Sequence, residues 1–381
     1  MRIVVAFDSF KGSLSSIEAG EAAKKGILRA IPEAEVLVCP MADGGEGTVD
    51  AMIEGLGAIE TNVEVHGPLM EKVTARYGIL PDGITAVMEM AQAAGLTLIK
   101  ENERNPLYTT TYGVGEMIND AILRGCRKFY IGIGGSATND GGTGMLAALG
   151  YRFMDISNRE IQTGALGLEH LAIIDNQNIL PELKDCEFHI VCDVNNPLCG
   201  EFGCSRVFAP QKGATEESIK QMDIWLSNYA KLAKAINPNA DTNAGGSGAA
   251  GGLGFAFQTF LEGRLQSGSL LVIEMTGLKQ KIEKADLVIT GEGRIDGQTA
   301  FGKAPAVIAH MAKKSGIPVI AIAGAVSATE KELKQTDFDA CYSITPETLS
   351  LDEAMKTNVS SHNLEKKAEE VIQRIKGIYF N

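Results

Sequence analysis

A chain of 381 residues, 45% hydrophobic and 22% charged, has room for two or three domains with real cores and is not disordered or fibrous. Its net charge of −13, with no basic block, argues against nucleic acid as a partner. The 43 glycines exceed the roughly 27 that an average usage of about 7% gives, and they follow no Gly-X-Y period, so the excess belongs to particular loops.

Ile3 to Phe7 is a short apolar run that predicts a buried parallel strand, and Asp8 ends it too early for a signal-peptide core. Ser15 to Glu18 fits a capping box, so a helix follows until Pro32 stops it. Val36 to Cys39 predicts a second strand, then a glycine loop and a helix over about 48–56. Strands near 74–80 and 85–90 read as a hairpin over Pro81-Asp82-Gly83. Further strands are expected at 129–133 and 188–192, with a long helix at 216–236. Alternating strands and helices return at 287–289, 305 onward, 318–323, 328 onward and 340–344.

This grammar predicts an α/β protein with a discontinuous parallel-sheet domain (1–65 plus 285–381), an inserted α/β domain (66–284), and a ligand cleft where they join. The longest uncharged stretch, Thr242 to Leu261, is too glycine-rich for a membrane helix. Seven cysteines without a C-x-x-C step read as reduced cytoplasmic thiols rather than zinc ligands. The five histidines lie outside the candidate loops, and Trp225 reads as packing.

Five strand-end loops share one composition, glycine or asparagine mixed with acidic, basic and hydroxyl side chains. Carboxyl ends of parallel strands face the ligand crevice, and glycines let backbone N–H groups approach an anion there. Gly132-x-Gly134-x-x-Ala137, with Asp155 downstream, matches a dinucleotide-binding pattern, but Asn139 to Gly142 would break the helix that pattern opens. Gly297 to Lys303 matches a P-loop except that Ala304 replaces the magnesium-binding hydroxyl. The bare stretch 244–254 suits either a turn before a packed helix or a loop hugging a ligand.

DSFKGS (8–13), PMADGGEGT (40–48), GIGGSATNDGGTGM (132–145), CDVNNPLCG (192–200), GAAGGLG (248–254) and ADLVITGEGRID (285–296), with Gln298, Thr299, Gly302 and Lys303, resemble the bacterial type 1 glycerate kinase family, in order and over most of the chain. The resemblance implies a discontinuous Rossmann-like domain with a flavodoxin-like insertion. It also implies phosphorylation of D-glycerate by ATP and Mg²⁺, usually to 2-phosphoglycerate, with 3-phosphoglycerate as the alternative product. Partners are then small molecules, with no nucleic acid or membrane, and a homo-oligomer is left open.

Phosphoryl transfer needs in-line positioning, cations on the phosphates and a group that takes the hydroxyl proton. On this reading Lys11, beside Ser9, holds an ATP phosphate or the glycerate carboxylate. Gly44, Gly45, Gly134, Gly135 and Ser136 offer donors to phosphate, Arg294 clamps the carboxylate, and Lys303 neutralises phosphate charge. Asp193 or Asp296 is the base, and Asp43 with Glu292 surrounds the metal, the carboxylate roles being exchangeable. Asp8 and Asp140 also fit a helix cap or turn acceptor, for Asp8 as well as they fit the site. Two other functions compete: a nicotinamide-dependent hydroxy-acid dehydrogenase on the Gly132 loop, and a non-catalytic carboxylate sensor.

Overall fold

The computed structural model describes residues 1–41, 56–297, 299, 303–346 and 348–379. The chain divides into two compact units, one holding the N-terminal segment and Ser269–Asn381, the other holding Gly57–Gly268.

The first unit opens with β1 (Arg2–Phe7) and β2 (Glu35–Val38), joined by the helix Ser16–Ala30. That helix starts at the expected capping box: Glu18 N–H donates to Ser15 Oγ at 3.2 Å and Ser15 N–H donates to Glu18 Oε2 at 2.8 Å. The second unit runs through β3 (Ile59–His66), β4 (Lys72–Ile79), β5 (Thr85–Glu89), β6 (Lys128–Gly132), β7 (Arg152–Met154), β8 (Ile173–Asp175), β9 (Glu187–Val191) and β10 (Arg264–Gln266). The chain then returns to the first unit with β11 (Leu287–Gly291), β12 (Arg294–Ile295), β13 (Val319–Ala323), β14 (Ala325–Val326) and β15 (Ala340–Ser343).

The first unit's sheet has the order β15-β13-β11-β1-β2 and is parallel throughout. Its strands are continuous apolar runs because both faces are covered. On one face, Ile3, Val5, Phe7, Ile289 and Ile322 pack with Ala23 and Ile27 of the first helix and Leu364, Ala368 and Ile372 of the C-terminal helix Thr357–Tyr379. The two helices meet closely at Gly26, where a Cβ would sit 2.0 Å from the Glu365 carbonyl oxygen.

The second unit's sheet, β10-β9-β6-β5-β4-β3, is mixed: β10, β9, β6 and β5 run parallel, while β4 and β3 are antiparallel additions. The 85–90 hairpin forms as expected, and the Asp82 carboxylate accepts from the backbone N–H of Ile84 and Thr85 at 3.0 and 2.9 Å. The long helix occupies Glu216–Ile236, capped by Thr215.

Three expectations need correction. The chain crosses to the second unit at 57 rather than 66, because β3 pairs along its whole length with β4. Its alternation of polar and half-buried residues makes an edge strand that carries little apolar signal. The return lies at 268–269 rather than 284–285. The segment before β11 is tied to the first unit by Lys281, whose Nζ reaches Cys39 Sγ at 3.6 Å. The helix expected from 328 is only one turn, Glu330–Leu333. The helix expected over 48–56 lies outside the described residues, apart from its last position. No described helix is long and apolar enough to cross a membrane.

Candidate active site

Each sheet gathers candidate residues at the carboxyl ends of its parallel strands, as the geometry of open α/β sheets requires. In the first unit β1 delivers Asp8, Ser9 and Lys11, β11 delivers Glu292, and the short strand β12 that follows carries Arg294 and leads to Asp296. The two loops are neighbours: a Cβ on Gly293 would lie 3.3 Å from Phe10 Cα and 3.4 Å from Lys11 N. Gly291 is obligatory, since its Cβ would fall 1.8 Å from the Ile322 carbonyl oxygen.

Glu292 is 7% exposed. Its Oε1 accepts from Thr299 Oγ1 at 2.8 Å, and Lys303 Nζ lies 3.7 Å from its Oε2. Thr299 Oγ1 also accepts from the Asp296 backbone N–H at 3.2 Å, so one buried hydroxyl closes the turn between the two acids. Burial pushes the Glu292 carboxyl above its ordinary range, and the hydrogen bond from Thr299 and the charge of Lys303 oppose that shift. A buried carboxylate whose side-chain partners among the described residues are Thr299 and Lys303 suits a cation. Lys303 caps the helix Ala304–Lys314, which carries Pro305 in its first turn, so its ammonium stands where the helix dipole also favours an anion. Lys11 and Arg294 are exposed. The buried Asp8 carboxylate accepts from the Ser9 N–H at 2.7 Å.

In the second unit β6 delivers the loop 133–142. Gly134 and Gly135 expose their backbone, and Gly135 adopts φ +71°. Ala137 N–H donates to the Ala94 carbonyl at 2.9 Å, and Thr109 Oγ1 donates to the Ala137 carbonyl at 2.8 Å. Asp140, fully buried, accepts at Oδ2 from Thr111 N–H at 2.8 Å, Thr111 Oγ1 at 2.9 Å, Gly144 N–H at 3.3 Å and Thr110 Oγ1 at 3.4 Å. Its Oδ1 accepts from Gly142 N–H at 3.1 Å. Asp140 is therefore a turn acceptor.

The dinucleotide pattern fails in this loop. No helix opens after Gly134, and the next one begins only at Thr143, beyond left-handed Gly141 and Gly142. Asp155, placed where a ribose acid would stand, caps its own turn by accepting from Ser157 and Arg159 N–H. The bare stretch 248–252 packs on the same loop: three successive residues, Ala250 to Gly252, are left-handed, and Gly141 N–H donates to the Gly251 carbonyl at 2.9 Å.

Asp193 follows β9 in the second unit, and its Oδ1 accepts from Gly268 N–H at 3.2 Å. The structure thus brings Glu292, Asp296 and Lys303 together, with Lys11 on the adjoining loop, and Gly134, Gly135 and Ser136 together. Asp193 belongs to a different unit from Asp296. Asp43, Gly44 and Gly45 lie outside the described residues.

Lys212 was not anticipated. It lies on the turn Pro210–Lys212, far from any strand-end motif, is 1% exposed, and donates to Ser136 Oγ at 2.7 Å and the Thr138 carbonyl at 2.6 Å. Only its setting in Pro-Gln-Lys-Gly, shortly before the long helix, marks it in the sequence.

Glycine-rich segments with lysines and acids beyond the carboxyl ends of parallel strands are the layout of α/β enzymes that handle small anions. Comparison with known proteins makes this particular. The glycerate kinase family model matches residues 3–376. A glycerate kinase of Bacillus subtilis (strain 168) is 43% identical over 99% of this chain and 98% of its own. The glycerate 2-kinase of Escherichia coli (strain K12) is 46% identical over 93% of each chain. A crystal structure assigned as glycerate kinase 2 from Salmonella typhimurium LT2 superposes with a TM-score of 0.90 at 43% identity, covering 99% of this chain and 98% of that one. The chain belongs to the glycerate kinase family. It is an enzyme with that family's kinase activity, a transferase, and neither the dehydrogenase nor the sensor reading survives.

Proposed function

We propose that the enzyme transfers the terminal phosphoryl group of ATP to the 2-hydroxyl of D-glycerate, giving 2-phosphoglycerate and ADP. The observation that carries this reading is the likeness to the Escherichia coli glycerate 2-kinase over nearly the whole of both chains. Seven cysteines outside any disulfide accord with a cytoplasmic setting.

Among the described residues no three His, Cys, Asp or Glu side chains form a metal cage. A magnesium ion usually takes one or two carboxylates, with phosphate and water completing its shell. Glu292, with Asp43 as partner, is the proposed protein ligand set, and the ion would neutralise charge on the transferred group. Lys303 and Lys11 add positive charge at the strand ends, and Arg294 offers a planar fork to the glycerate carboxylate. Gly134, Gly135 and Ser136 donate to an oxyanion. The proton of the attacking hydroxyl passes to Asp193 or Asp296, whose Asn variants decide between them.

The test is ADP release, measured with and without D-glycerate and with and without Mg²⁺, and resolved by phosphorus NMR. A phosphate on the 2-position couples to one proton and a phosphate on the 3-position to two. Release that requires both D-glycerate and the metal, with the one-proton splitting, is expected. A two-proton splitting overturns the regiochemistry, and absent turnover by folded enzyme overturns the substrate.

A further inference from the structure

Among the buried titratable groups, Lys212 stands apart. Both of its hydrogen bonds go to the loop that carries Gly134 and Gly135, and neither acceptor is a carboxylate. Among the described residues its ammonium is hydrogen-bonded only to neutral oxygens, and Asp140 acts on it without bonding to it, so its positive charge is incompletely compensated and favours an anion sharing the site. Ser136 Oγ accepts from Lys212, so its own proton points to another acceptor. In the same turn Thr138 Oγ1, fully buried, has no hydrogen-bond partner among the described residues. An ammonium behind the loop, a hydroxyl with a proton to give and exposed glycine amides in front together make a receptor for an oxyanion.

We propose that Lys212 is the positioning residue of an oxyanion subsite on the Gly134–Ser136 loop: its ammonium orients the Ser136 hydroxyl outward and sets a positive charge beneath the exposed backbone. The subsite takes either a phosphate of the nucleotide or the carboxylate of the hydroxy acid, and this assignment rests on the function proposed above. Lys212 acts through Ser136 and the loop rather than by touching the reacting atoms.

Burial lowers the Lys212 ammonium to about 8. The titratable groups that act on it are Cys204 and Asp140. Burial holds the Cys204 thiol at about 11, so it stays neutral as Lys212 titrates. Asp140 is occupied by its ring of donors. Anion affinity is therefore full well below pH 8 and falls as the ammonium loses its proton through that value.

The experiment is isothermal titration of the full-length protein with a non-hydrolysable ATP analogue and, separately, with D-glycerate, from pH 6.5 to 9.5. Wild-type protein is compared with Lys212→Met, Lys212→Arg and Ser136→Ala. At pH 7 the Met variant should weaken one ligand at least tenfold and leave the other within about threefold. The weakened ligand identifies the occupant. The alkaline loss of affinity should vanish in the Met variant, and Arg should restore much of the binding. Ser136→Ala keeps the ammonium and should weaken the same ligand while the melting temperature holds, which covers the case in which Lys212→Met does not fold. Unchanged dissociation constants in folded Met and Ala variants overturn the proposal. So does equal weakening of both ligands with a collapsed melting temperature, the mark of a purely structural lysine. If wild-type protein binds these ligands with the expected pH profile but makes no phosphoglycerate, the proposed function fails while the subsite stands.

Discussion

Asp140→Asn offers a near-isosteric probe of how the loop after β6 is held. Five donors converge on this carboxylate, four on Oδ2 and one on Oδ1. The amide nitrogen would turn to the Oδ1 side, where it meets only the Gly142 N–H. Two donors would then face each other, and the stranded N–H costs about 1–3 kcal/mol. The four remaining bonds would pass from a charged to a neutral acceptor, which roughly halves their strength and costs about 1 kcal/mol more. A loss of roughly 2–4 kcal/mol lowers the melting temperature of a domain of this size by about 5–15 °C. The assay is differential scanning calorimetry, with the dissociation constants of nucleotide and D-glycerate measured at 15 °C, where the variant remains folded. A variant that melts within 1 °C of wild type refutes the view that this carboxylate organises the loop.

Other outcomes follow from the first unit and the acids. Gly26→Ala places a methyl group against the Glu365 carbonyl, so overpacking of about 1–3 kcal/mol should outweigh the roughly 1 kcal/mol helix-propensity gain. A lowered urea midpoint checks this, and an increase would contradict it. Glu292 has a raised pKa in the folded state, so it binds protons more tightly folded than unfolded, and stability falls as pH rises from about 4.5 through the raised value. Glu292→Gln should flatten that decline and raise the melting temperature at pH 7 while abolishing magnesium-dependent turnover; a steeper decline would refute the assignment. Of Asp193→Asn and Asp296→Asn, one should lose at least 100-fold in kcat with little change in the KM for D-glycerate. Near-wild-type kcat in both would remove both from the role of base.

Much of the fold was legible because it depends on local chemistry. The strands of the first unit are buried on both faces, so they read as unbroken apolar runs. The first and long helices announce themselves through Ser15–Glu18 and Thr215. Strand β3 was illegible for the opposite reason: an edge strand needs few apolar residues, and its partner across eight positions defines it. The displaced domain boundary follows directly from that.

The candidate site divides in the same way. Sequence alone determined that Asp8, Lys11, Gly134, Gly135, Ser136, Asp193, Glu292, Asp296 and Lys303 sit outside the strands, since a change from apolar run to glycine and charge is a local pattern, whereas Arg294 proved to lie in the short strand β12. Only the tertiary structure decided which of them meet. It paired Glu292 with Lys303 and Thr299, turned Asp140 inward as an acceptor for five donors, and brought Lys212 across 76 positions to Ser136. Such pairings are set by how strands order within a sheet and by which buried polar atoms need partners, and neither requirement leaves a mark on neighbouring residues in the chain.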